Sequence, residues 1–569
     1  MKKLFTLLSM GVTLFANSQA PSFQWAKSMG GTNNEEGHSI STDASGNVYT
    51  VGALYGIADF DPSAATFTLD ATKGHTYVSK LDGAGNFVWA KNFGGIGTPF
   101  NVLRNMTSDA AGNVYISGSY SGFADFDPGV GLDTATSKAG NDIFIVKLNN
   151  TGNLVWVKKI GNTNAFGTVT SIAVDGTGNV YASGYYAGIV DFNPGSGIYN
   201  LPTAPAYNTF VLKLDGGGNF LWANGAGNSQ NSFSNGLSLD ATGNAYTTGQ
   251  YKGIIDFDSS VSTYTLAAKG DDDMYILKLD ANGNFVWAKT IGDTLAEFPS
   301  SIVVDGLNNV YTTGVFRGTV DFDPNTGVNT LSTNNISGAC FISKLDGAGN
   351  FVWVKEFDLA PNDRTKALAI DASNNLYATG RFRNTVDFDP NAGTSNLTDV
   401  TGYGDIYVLK LDGAGNFIWV EQLGGTYSEG GYSIAIDAFN SIYTTGYFSF
   451  LGDYDPSSAV FNLTPVSNYY NDVFVHKLGQ GTTGIKENAL INSFTLYPNP
   501  TFGLLNLELR NLNETPVTIE ITNTLGQVIL SKSITENHTQ INVSELSKGI
   551  CFISVISEGK KTTQKLIID

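Results

Sequence analysis

Acidic residues recur in pairs around a single aromatic residue, and this pattern is the feature of the sequence that could bind a metal ion. The repeated run is Asp-Phe-Asp-Pro. Two carboxylates from one loop would contribute to a calcium site, because Ca²⁺ takes about 6–8 oxygen ligands. The pairs that carry this weak calcium prediction are Asp59 with Asp61, Asp125 with Asp127, Asp321 with Asp323, and Asp387 with Asp389; the related pairs are Asp256 with Asp258, Asp453 with Asp455, and Asp191 with Asn193.

The same run has a simpler interpretation as a structural turn. Aspartate side chains accept hydrogen bonds from backbone N–H groups further along the chain, and the aromatic residue would then plug into the core. The run also lacks the further ligands of a recognised calcium loop. The turn is the favoured interpretation, and calcium remains open.

Catalytic chemistry would require one copy of a repeated unit to differ from the others by a nucleophile or an acid–base set. The four histidines, His38, His75, His476 and His538, lack metal-ligand spacing. No phosphate-binding glycine loop or nucleophile elbow is present either. One equivalent position does vary between copies, without building a recognisable catalytic set: His75, Asp142, Asn208, Asp273, Ala339, Asp405 and Asp472.

A small basic cluster is the remaining candidate for ligand binding. Arg364, Arg381 and Arg383 lie in the sixth copy of the repeat, and they could contact an anionic sugar. A solvated loop is the more ordinary interpretation. The sequence therefore predicts no catalytic residues, no cofactor-binding residues and no cofactor, with calcium as an open possibility.

The elements that would position these residues come from an internal repeat of about 66 residues. All seven tryptophans fall 64–67 residues apart, at Trp25, Trp89, Trp156, Trp222, Trp287, Trp353 and Trp419. A fixed period of this kind indicates one supersecondary unit copied many times. Each tryptophan is predicted to pack between neighbouring units as a core residue, because a buried aromatic side chain removes about 150–250 Å² from water.

Each copy reads as two β-hairpins. In the second copy, apolar runs at 102–108 and 114–118 flank a turn that ends in Gly112-Asn113, and runs at 142–148 and 154–158 flank another. Glycine and asparagine favour such turns because they tolerate positive φ. Four antiparallel strands per copy, seven times over, predict a β-propeller. Continuous apolar runs such as Phe87-Val88-Trp89 predict sheets that are packed on both faces.

The two ends of the array predict how the ring would close. The array opens at 23–27 with a strand that matches the fourth strand of a copy, without the first three strands before it. It ends at 472–478 with a strand that matches the third strand of a copy, without a fourth strand after it. Pairing the two fragments would complete one sheet and remove two exposed edges.

Composition limits the partners and the compartment. The net charge of −19 should repel nucleic acid and anionic membranes. Residues 1–20 read as a signal peptide, with cleavage expected after Ser18 or, second, Ala20; no segment is long and apolar enough to span a membrane. Cys340 and Cys551 lie in separate predicted domains and should be free, buried thiols.

The last 78 residues form a different domain. After a linker at 480–491, six or seven short apolar runs between 492 and 569 predict a small β-sandwich. Tyr497-Pro498-Asn499-Pro500, the 525–528 turn and the Lys-Leu-Ile-Ile ending resemble the type A C-terminal sorting domain of the Bacteroidetes type IX secretion system. This resemblance implies a signal peptide for the inner membrane and contact of residues 492–569 with the secretion machinery. It also implies that the domain is generally cut off, with cargo released or attached to surface polysaccharide.

The array at 21–479 resembles the SBBP (β-propeller) repeat family, through the Gly-Asn-Val-Tyr-x-x-Gly run at 112–118 and the Lys-Leu-Asp-x-x-Gly-Asn-Phe-x-Trp run at 80–89. The predicted fold is all-β, a seven-bladed β-propeller of four-stranded blades followed by a small Ig-like β-sandwich. The predicted function is a secreted or cell-surface, non-enzymatic scaffold for adhesion or for a glycan or protein ligand.

Two alternatives are an extracellular polysaccharide hydrolase or lyase and a structural surface-layer component. An enzyme predicts charged residues from several first strands at the channel mouth, a binding module predicts exposed aromatic residues on the long loops, and a structural protein predicts neither.

Overall fold

The fold is all-β, and its residues form two compact units that divide between Gln480 and Gly481. A computed structural model describes the chain in thirteen stretches: 20–95, 101–138, 140–162, 165–202, 204–227, 230–359, 363–399, 401–467, 469–480, 494–509, 517–524, 526–557 and 560–569. The predicted signal peptide, apart from Ala20, and the predicted linker from 481 onward lie outside these residues.

Seven four-stranded antiparallel sheets make up the first unit. We number them sheet 1 to sheet 7 and give the strands of each in the order first to fourth. Sheet 1 is Glu35–Thr42, Val48–Leu54, Thr76–Leu81 and Phe87–Gly95; sheet 2 is Asn101–Ser108, Val114–Tyr120, Asp142–Leu148 and Leu154–Ile160; sheet 3 is Phe166–Val174, Val180–Gly188, Ala204–Leu214 and Phe220–Ala226. Sheet 4 is Ser232–Leu239, Ala245–Tyr251, Asp273–Leu279 and Phe285–Ile291; sheet 5 is Phe298–Val304, Val310–Phe316, Ala339–Leu345 and Phe351–Phe357; sheet 6 is Arg364–Ile370, Leu376–Phe382, Asp405–Leu411 and Phe417–Gly425; sheet 7 is Glu429–Ile436, Ile442–Phe448, Asp472–Gly479 and Ser22–Gly31.

Sheet 7 joins the two ends of the array, as the unpaired strand fragments predicted. Its fourth strand, Ser22–Gly31, pairs antiparallel with Asp472–Gly479, with Met29 opposite Val473 and Phe23 opposite Leu478. The first strand of each sheet contacts the first strands of both neighbouring sheets, and that of sheet 7 contacts that of sheet 1. The contacts between sheets therefore run in an unbroken cycle.

Each connection between the second and third strands reaches towards the preceding sheet. Short hairpins form in six of these connections, and three of them pair with the end of the preceding sheet's fourth strand, as Asp59 does with Gly30. The hairpin strands are Ile57–Asp59 with Thr68–Asp70, Phe123–Asp125 with Thr134–Thr136, Ile254–Asp256 with Thr265–Ala267, Gly318–Asp321 with Thr330–Thr333, Thr385–Asp387 with Asn396–Thr398, and Gly452–Asp453 with Asn462–Leu463; a single 3₁₀ turn, Ala71–Lys73, lies in the first connection.

The outer strands are less buried than the sequence predicted. Six of the seven tryptophans are only half-buried, and Trp419 alone is buried. Val88 is 46% exposed, so the prediction that both faces of the fourth strand are covered was wrong. The fourth strand is the outer edge of each sheet, whereas the first strands carry the contacts between neighbouring sheets, so the outward side chains of the fourth strand meet water. The tyrosine that recurs in each second strand is fully buried instead, as at Tyr49 and Tyr115.

A repeated polar contact joins each sheet to the next. In sheet 5, Asp305 accepts a hydrogen bond from the Tyr311 hydroxyl at 3.1 Å, and the Lys344 ammonium lies 4.7 Å from the centre of that tyrosine ring. Lys344 Nζ and Trp353 Nε1 both donate to the carbonyl of Gly413, in the hairpin of sheet 6. We call this set the Asp–Tyr–Lys–Trp joint. Burial lowers the pKa of the lysine in six of the seven joints, since the ammonium gives up water for these contacts.

The joint from sheet 6 to sheet 7 has a different acceptor, because no hairpin connects the last two strands of sheet 7. Lys410 donates to the side-chain oxygen of Gln480, and the Gln480 amide in turn donates to the Tyr377 hydroxyl. One side chain thus replaces the hairpin carbonyl at the place where the chain ends meet.

The second unit consists of two sheets around one core. Leu505, Ile519 and Ile553 belong to a single hydrophobic cluster that both sheets share. Cys551 lies in this cluster and Cys340 in a core of the first unit, and both are free and buried, as predicted. The three-stranded sheet contains Thr495–Tyr497, Leu504–Glu508 and His538–Asn542; the four-stranded sheet contains Val528–Ile534, Val517–Thr522, Gly549–Ser557 and Lys560–Ile568. Throughout the described residues, no helix has the length and apolarity needed to cross a membrane.

Deletion of residues 21–28 should sharply lower the melting temperature of the protein. The deletion removes most of the strand that pairs with Asp472–Gly479 and leaves that sheet edge without a partner. Thermal unfolding followed by circular dichroism measures the effect. The exposed side chain of Gln24 provides the control, because Gln24→Ala leaves the strand in place. An unchanged melt of the deletion variant would rule out this closure.

Candidate functional site

The paired aspartates form turns in the structure. Asp59 Oδ1 accepts hydrogen bonds from the backbone N–H groups of Asp61 and Phe67, and Asp61 Oδ1 accepts one from Ser63. The same bonds recur at the other three candidate pairs, Asp125 with Asp127, Asp321 with Asp323, and Asp387 with Asp389.

The aromatic residue between each pair is buried, which confirms its predicted role as a plug. Among the described residues, no group of three or more His, Cys, Asp or Glu side chains is placed to hold a metal ion. Calcium at these aspartates therefore stays a prediction.

The position that varies between copies lies at or near the start of the third strand, and it is buried in every copy except the first, where His75 is half-buried. At three junctions it faces a buried glutamate of the next first strand: Asp472 faces Glu35, Asp273 faces Glu297, and Asp405 faces Glu429. Both carboxylate oxygens of Glu297 and of Glu429 have no hydrogen-bond partner within the described part of the chain.

Burial, reinforced by the facing aspartate, raises the pKa of each of these glutamates, to about 8 for Glu297 and about 9 for Glu429. Each pair is therefore protonated on the glutamate at neutral pH. This makes the acid pairs structural elements of the junctions, in which the glutamate holds the proton and the aspartate carries the remaining negative charge.

Every first strand contains a β-bulge, and the bulge residues of the six sheets other than sheet 2 line a central channel. The register shifts at each bulge, and such shifts redirect a side chain. The channel has a volume of about 590 Å³ and is lined by residues of all seven first strands. The bulge positions, in order from sheet 1 to sheet 7, are His38, Arg104, Thr170, Asn235, Ser300, Lys366 and Tyr432.

Three consecutive sheets make one side of this channel chemically distinct. The Lys366 ammonium lies 5.3 Å from the centre of the Tyr432 ring, and the His38 ring lies 6.0 Å from the same ring. Tyr432 packs against Tyr447 at 5.3 Å, and Arg381 donates to the Tyr447 hydroxyl at 3.5 Å. We define Glu36, His38, Arg364, Lys366, Arg381, Tyr432 and Tyr447 as the mouth site, since they lie where the first strands begin.

Glycine at one position lets the mouth site form. A Cβ atom added to Gly430 would lie 2.5 Å from Cε1 of Tyr447, too close for any side chain without movement of the tyrosine. The absence of a side chain at Gly430 therefore allows the Tyr447 ring to reach Tyr432 and Arg381.

The acids in and beside the mouth site are held by hydrogen bonds from their neighbours. A hydrogen bond from His38, at 3.3 Å, lowers the pKa of Glu36, whose other oxygen accepts one from Asn471. Asp363 accepts hydrogen bonds from Arg381 and Arg383 at 3.0–3.2 Å. The prediction of a solvated arginine loop was therefore wrong for Arg381 and Arg383, because a buried carboxylate fixes both.

The basic groups of the mouth site lie close to one another. Lys366 is exposed inside the channel, yet the surrounding walls strip away much of its hydration. This burial lowers the pKa of Lys366 to about 8, and the positive charges of Arg364 and Arg381 lower it further.

Exposed aromatic residues continue the mouth site outward. Tyr427 stacks on Tyr403 at 4.4 Å and contacts Phe450 at 4.5 Å. We call these three residues the aromatic ledge. Tyr403 is 51% exposed, and Tyr469 beside the ledge is 91% exposed. Both the charged residues expected of an enzyme and the aromatic residues expected of a binding module are thus present at one place.

Two cavities connect the ledge to the basic residues. One, of about 480 Å³, is lined by Tyr427, Phe450 and Tyr469, and the other, of about 140 Å³, by Arg364, Lys366 and Arg381. Both cavities are also lined by Tyr432 and Tyr447. Sequence reasoning missed this site because the bulge residues differ in type from copy to copy. The constant spacing of the bulge residues along the sequence was the signal that could have revealed the site.

The comparisons with known proteins identify the C-terminal part. Residues 495–569 match the family described as the secretion system C-terminal sorting domain. The protein is therefore exported by the type IX secretion system and is placed at the cell surface or secreted.

The chain is also similar to a curated protein and to solved structures. An uncharacterised WD repeat-containing protein, L264, of Acanthamoeba polyphaga mimivirus is 23% identical over 536 residues; the match covers 79% of this chain but only 36% of that relative. PorZ, a type IX secretion component of Porphyromonas gingivalis, is 10% identical with a TM-score of 0.18, covering 96% of this chain and 100% of that one. A polysaccharide lyase acting on ulvan is 11% identical with a TM-score of 0.36, covering 73% and 92%. At these values the structural similarities say nothing about activity.

Replacement of Glu297 by Gln should stabilise the protein at pH 8 and leave it nearly unchanged at pH 4. The folded-state pKa of Glu297 is raised, so the wild-type protein loses stability as pH rises from the unfolded-state value near 4.5 through about 8. Because one pKa unit corresponds to about 1.4 kcal/mol, we expect a gain on the order of 2 kcal/mol for the variant at pH 8.

Denaturant unfolding at the two pH values measures this effect. Asp271→Asn is the control, since Asp271 is an exposed carboxylate whose ion pair with Lys252 contributes little. Equal stability changes at pH 4 and pH 8 for Glu297→Gln would contradict a buried, protonated pair.

Proposed function

We propose that the first unit is a seven-bladed β-propeller of the SBBP type and that the second unit is an Ig-like sandwich. Seven four-stranded sheets, the cycle of contacts between their first strands and the pairing of both chain ends in sheet 7 support the propeller. Two sheets around one core support the sandwich.

We infer that the protein is a non-enzymatic scaffold that binds a glycan or protein ligand outside the cell, in an adhesive role. The observation that carries this inference is the continuity of the aromatic ledge with the mouth site through two cavities that share Tyr432 and Tyr447. Ligand sites combine an apolar surface with a few fixed polar groups. Here the ledge offers the surface, and Lys366, Arg364 and Glu36 offer the polar groups.

The scaffold around this site is suited to rigid binding. The mouth-site residues lie on strands, and the joints and long-connection hairpins tie each sheet to its neighbour. A ligand would then meet side chains that are already ordered, which reduces the entropy lost on binding.

Export follows a two-step route in this proposal. Residues 1–20 would direct the chain through the inner membrane, and residues 492–569 would engage the type IX machinery at the outer membrane. Removal of the sorting domain would leave the first unit either released or attached to the surface.

An extracellular polysaccharide lyase or hydrolase is the second candidate. The observation that favours it is Lys366, whose pKa near 8 would allow proton transfer close to neutral pH, beside the Tyr432 ring. Tyr432 itself stays protonated at neutral pH, because burial raises its pKa. A structural surface-layer role would need neither feature.

Replacement of Tyr427 by Ala should abolish or strongly weaken ligand binding. The change removes the central ring of the ledge, which contacts both Tyr403 and Phe450. A glycan array, with and without a calcium chelator, identifies the ligand and tests calcium, and titration calorimetry then compares the variants. Loss of a stacked aromatic contact should raise the Kd about tenfold.

The control is Phe439→Ala, because Phe439 is 69% exposed on a hairpin turn at the opposite ends of the strands. Equal binding by wild type and Tyr427→Ala would refute the proposed site. Shortening of a bound polysaccharide would show an enzyme instead of a binding module.

A further inference from the structure

We propose that the ligand is a polysaccharide that carries anionic groups, either carboxylates or sulfate esters, and that Lys366 and Arg364 bind those groups. This inference rests on the proposed binding function and adds the chemical class of the ligand. The argument starts from the charges of the mouth site.

Two cations of the mouth site, Lys366 and Arg364, form no ion pair with any described residue, although Glu36 lies close enough to attract Lys366. The chain has 51 acidic and 32 basic residues, so an acidic partner is easily available to most lysines and arginines. Within the described residues, neither Lys366 nor Arg364 forms an ion pair, whereas Arg381 and Arg383 share Asp363. Crowded cations without a partner repel one another, and an anionic ligand would relieve that repulsion.

The basic groups near the mouth outnumber the ionised acids, because Arg364, Lys366, Arg381 and Arg383 face only Glu36 and Asp363 among the described acidic residues. Glu36 is held by His38 and Asn471, and Asp363 by its two arginines. Glu429, at the start of the neighbouring strand, is buried and keeps its proton at neutral pH, because burial raises its pKa to about 9. The field at the mouth is therefore positive in a chain whose net charge is −19. At physiological ionic strength, screening limits the long-range repulsion by the rest of the chain to roughly 8 Å.

The shape of the site favours a sugar polymer. The smaller cavity, lined by Arg364, Lys366 and Arg381, is suited to a single charged substituent. The larger cavity opens on the ledge, where sugar rings would stack on Tyr427 and Phe450. A single-stranded nucleic acid would need a basic groove that follows its backbone, and two unpaired cations do not supply one.

The experiment uses purified full-length protein and defined polymers at physiological salt. Alginate presents carboxylates, dextran sulfate presents sulfate esters, dextran is the neutral polymer, and single-stranded DNA is the competing polyanion. We expect alginate or dextran sulfate to bind and dextran to bind at least tenfold more weakly, since a hydrogen bond to a charged group contributes about 1.5–3 kcal/mol.

Single substitutions test whether Lys366 of the mouth site is responsible for binding the polyanion. Lys366→Met keeps the aliphatic stem and removes the charge, and it should raise the Kd for the polyanion about tenfold. Lys366→Arg should restore binding to near the wild-type value. Lys252→Met is the matched control, because Lys252 is an exposed lysine elsewhere in the first unit. Unchanged melting temperatures show that each variant is folded.

The pH profile supplies a readout that a purely structural lysine would not move. Wild-type affinity for the polyanion should fall as pH rises from 7 to 9 through the pKa of Lys366, about 8, while Lys366→Arg stays flat. The groups that face Lys366 are Arg364 on its own strand, Arg381 on the next strand, Glu36 and His38 of sheet 1, and Tyr432 and Tyr447 of sheet 7.

Each outcome decides the inference. Equal binding of dextran and the two polyanions, or no effect of Lys366→Met, overturns the anionic class; if Tyr427→Ala still abolishes that binding, the proposed function stands. Stronger binding of DNA than of either polysaccharide overturns the sugar assignment. Failure of both polyanions to bind overturns this inference, whereas failure of every ligand on the glycan array removes the proposed glycan function as well.

Discussion

The Asp–Tyr–Lys–Trp joint is the interaction on which the arrangement of the sheets depends. Each sheet uses the buried tyrosine of its second strand as a platform for the lysine of its third strand, and in six of the seven sheets the lysine and tryptophan share one carbonyl of the next sheet. Removing an ammonium group from water is costly, so each lysine needs the ring, the nearby aspartate and the carbonyl together. The joint therefore fixes both the distance and the orientation between neighbouring sheets.

The joints lie at one end of the strands, so the residues at the other end can differ in type from copy to copy. Hairpin turns with glycine, or with asparagine at Asn308, Asn374 and Asn440, adopt positive φ and hold the joint aspartates in nearly identical positions. The bulges lie further along the first strands, towards the opposite end, where they make no joint contact. A residue can therefore change type at a bulge without disturbing the contacts between sheets. Because of this separation, three neighbouring copies of the repeat can place His38, Lys366 and Tyr432 next to one another at the channel.

Much of the fold was predictable, because it depends on periodic features. The spacing of tryptophans, the Gly-Asn turns and the incomplete copies at both ends predicted four-stranded units and the pairing of Ser22–Gly31 with Asp472–Gly479. The burial of the indoles was not predictable in the same way, since it depends on how far the outer edges of adjacent sheets diverge. Lys366 and Tyr432 escaped notice because a bulge shifts them out of the alternation on which strand patterns rest.

The mouth site lies on the three sheets that surround the place where the chain ends meet. In these sheets, 6, 7 and 1, Gln480 replaces the hairpin carbonyl in the joint from sheet 6 to sheet 7. That joint lies at the hairpin end of the strands, whereas the bulges of Lys366, Tyr432 and His38 lie towards the opposite end. Because the contacts between first strands continue through all three sheets, the bulge residues can differ between copies while the cycle of contacts is kept.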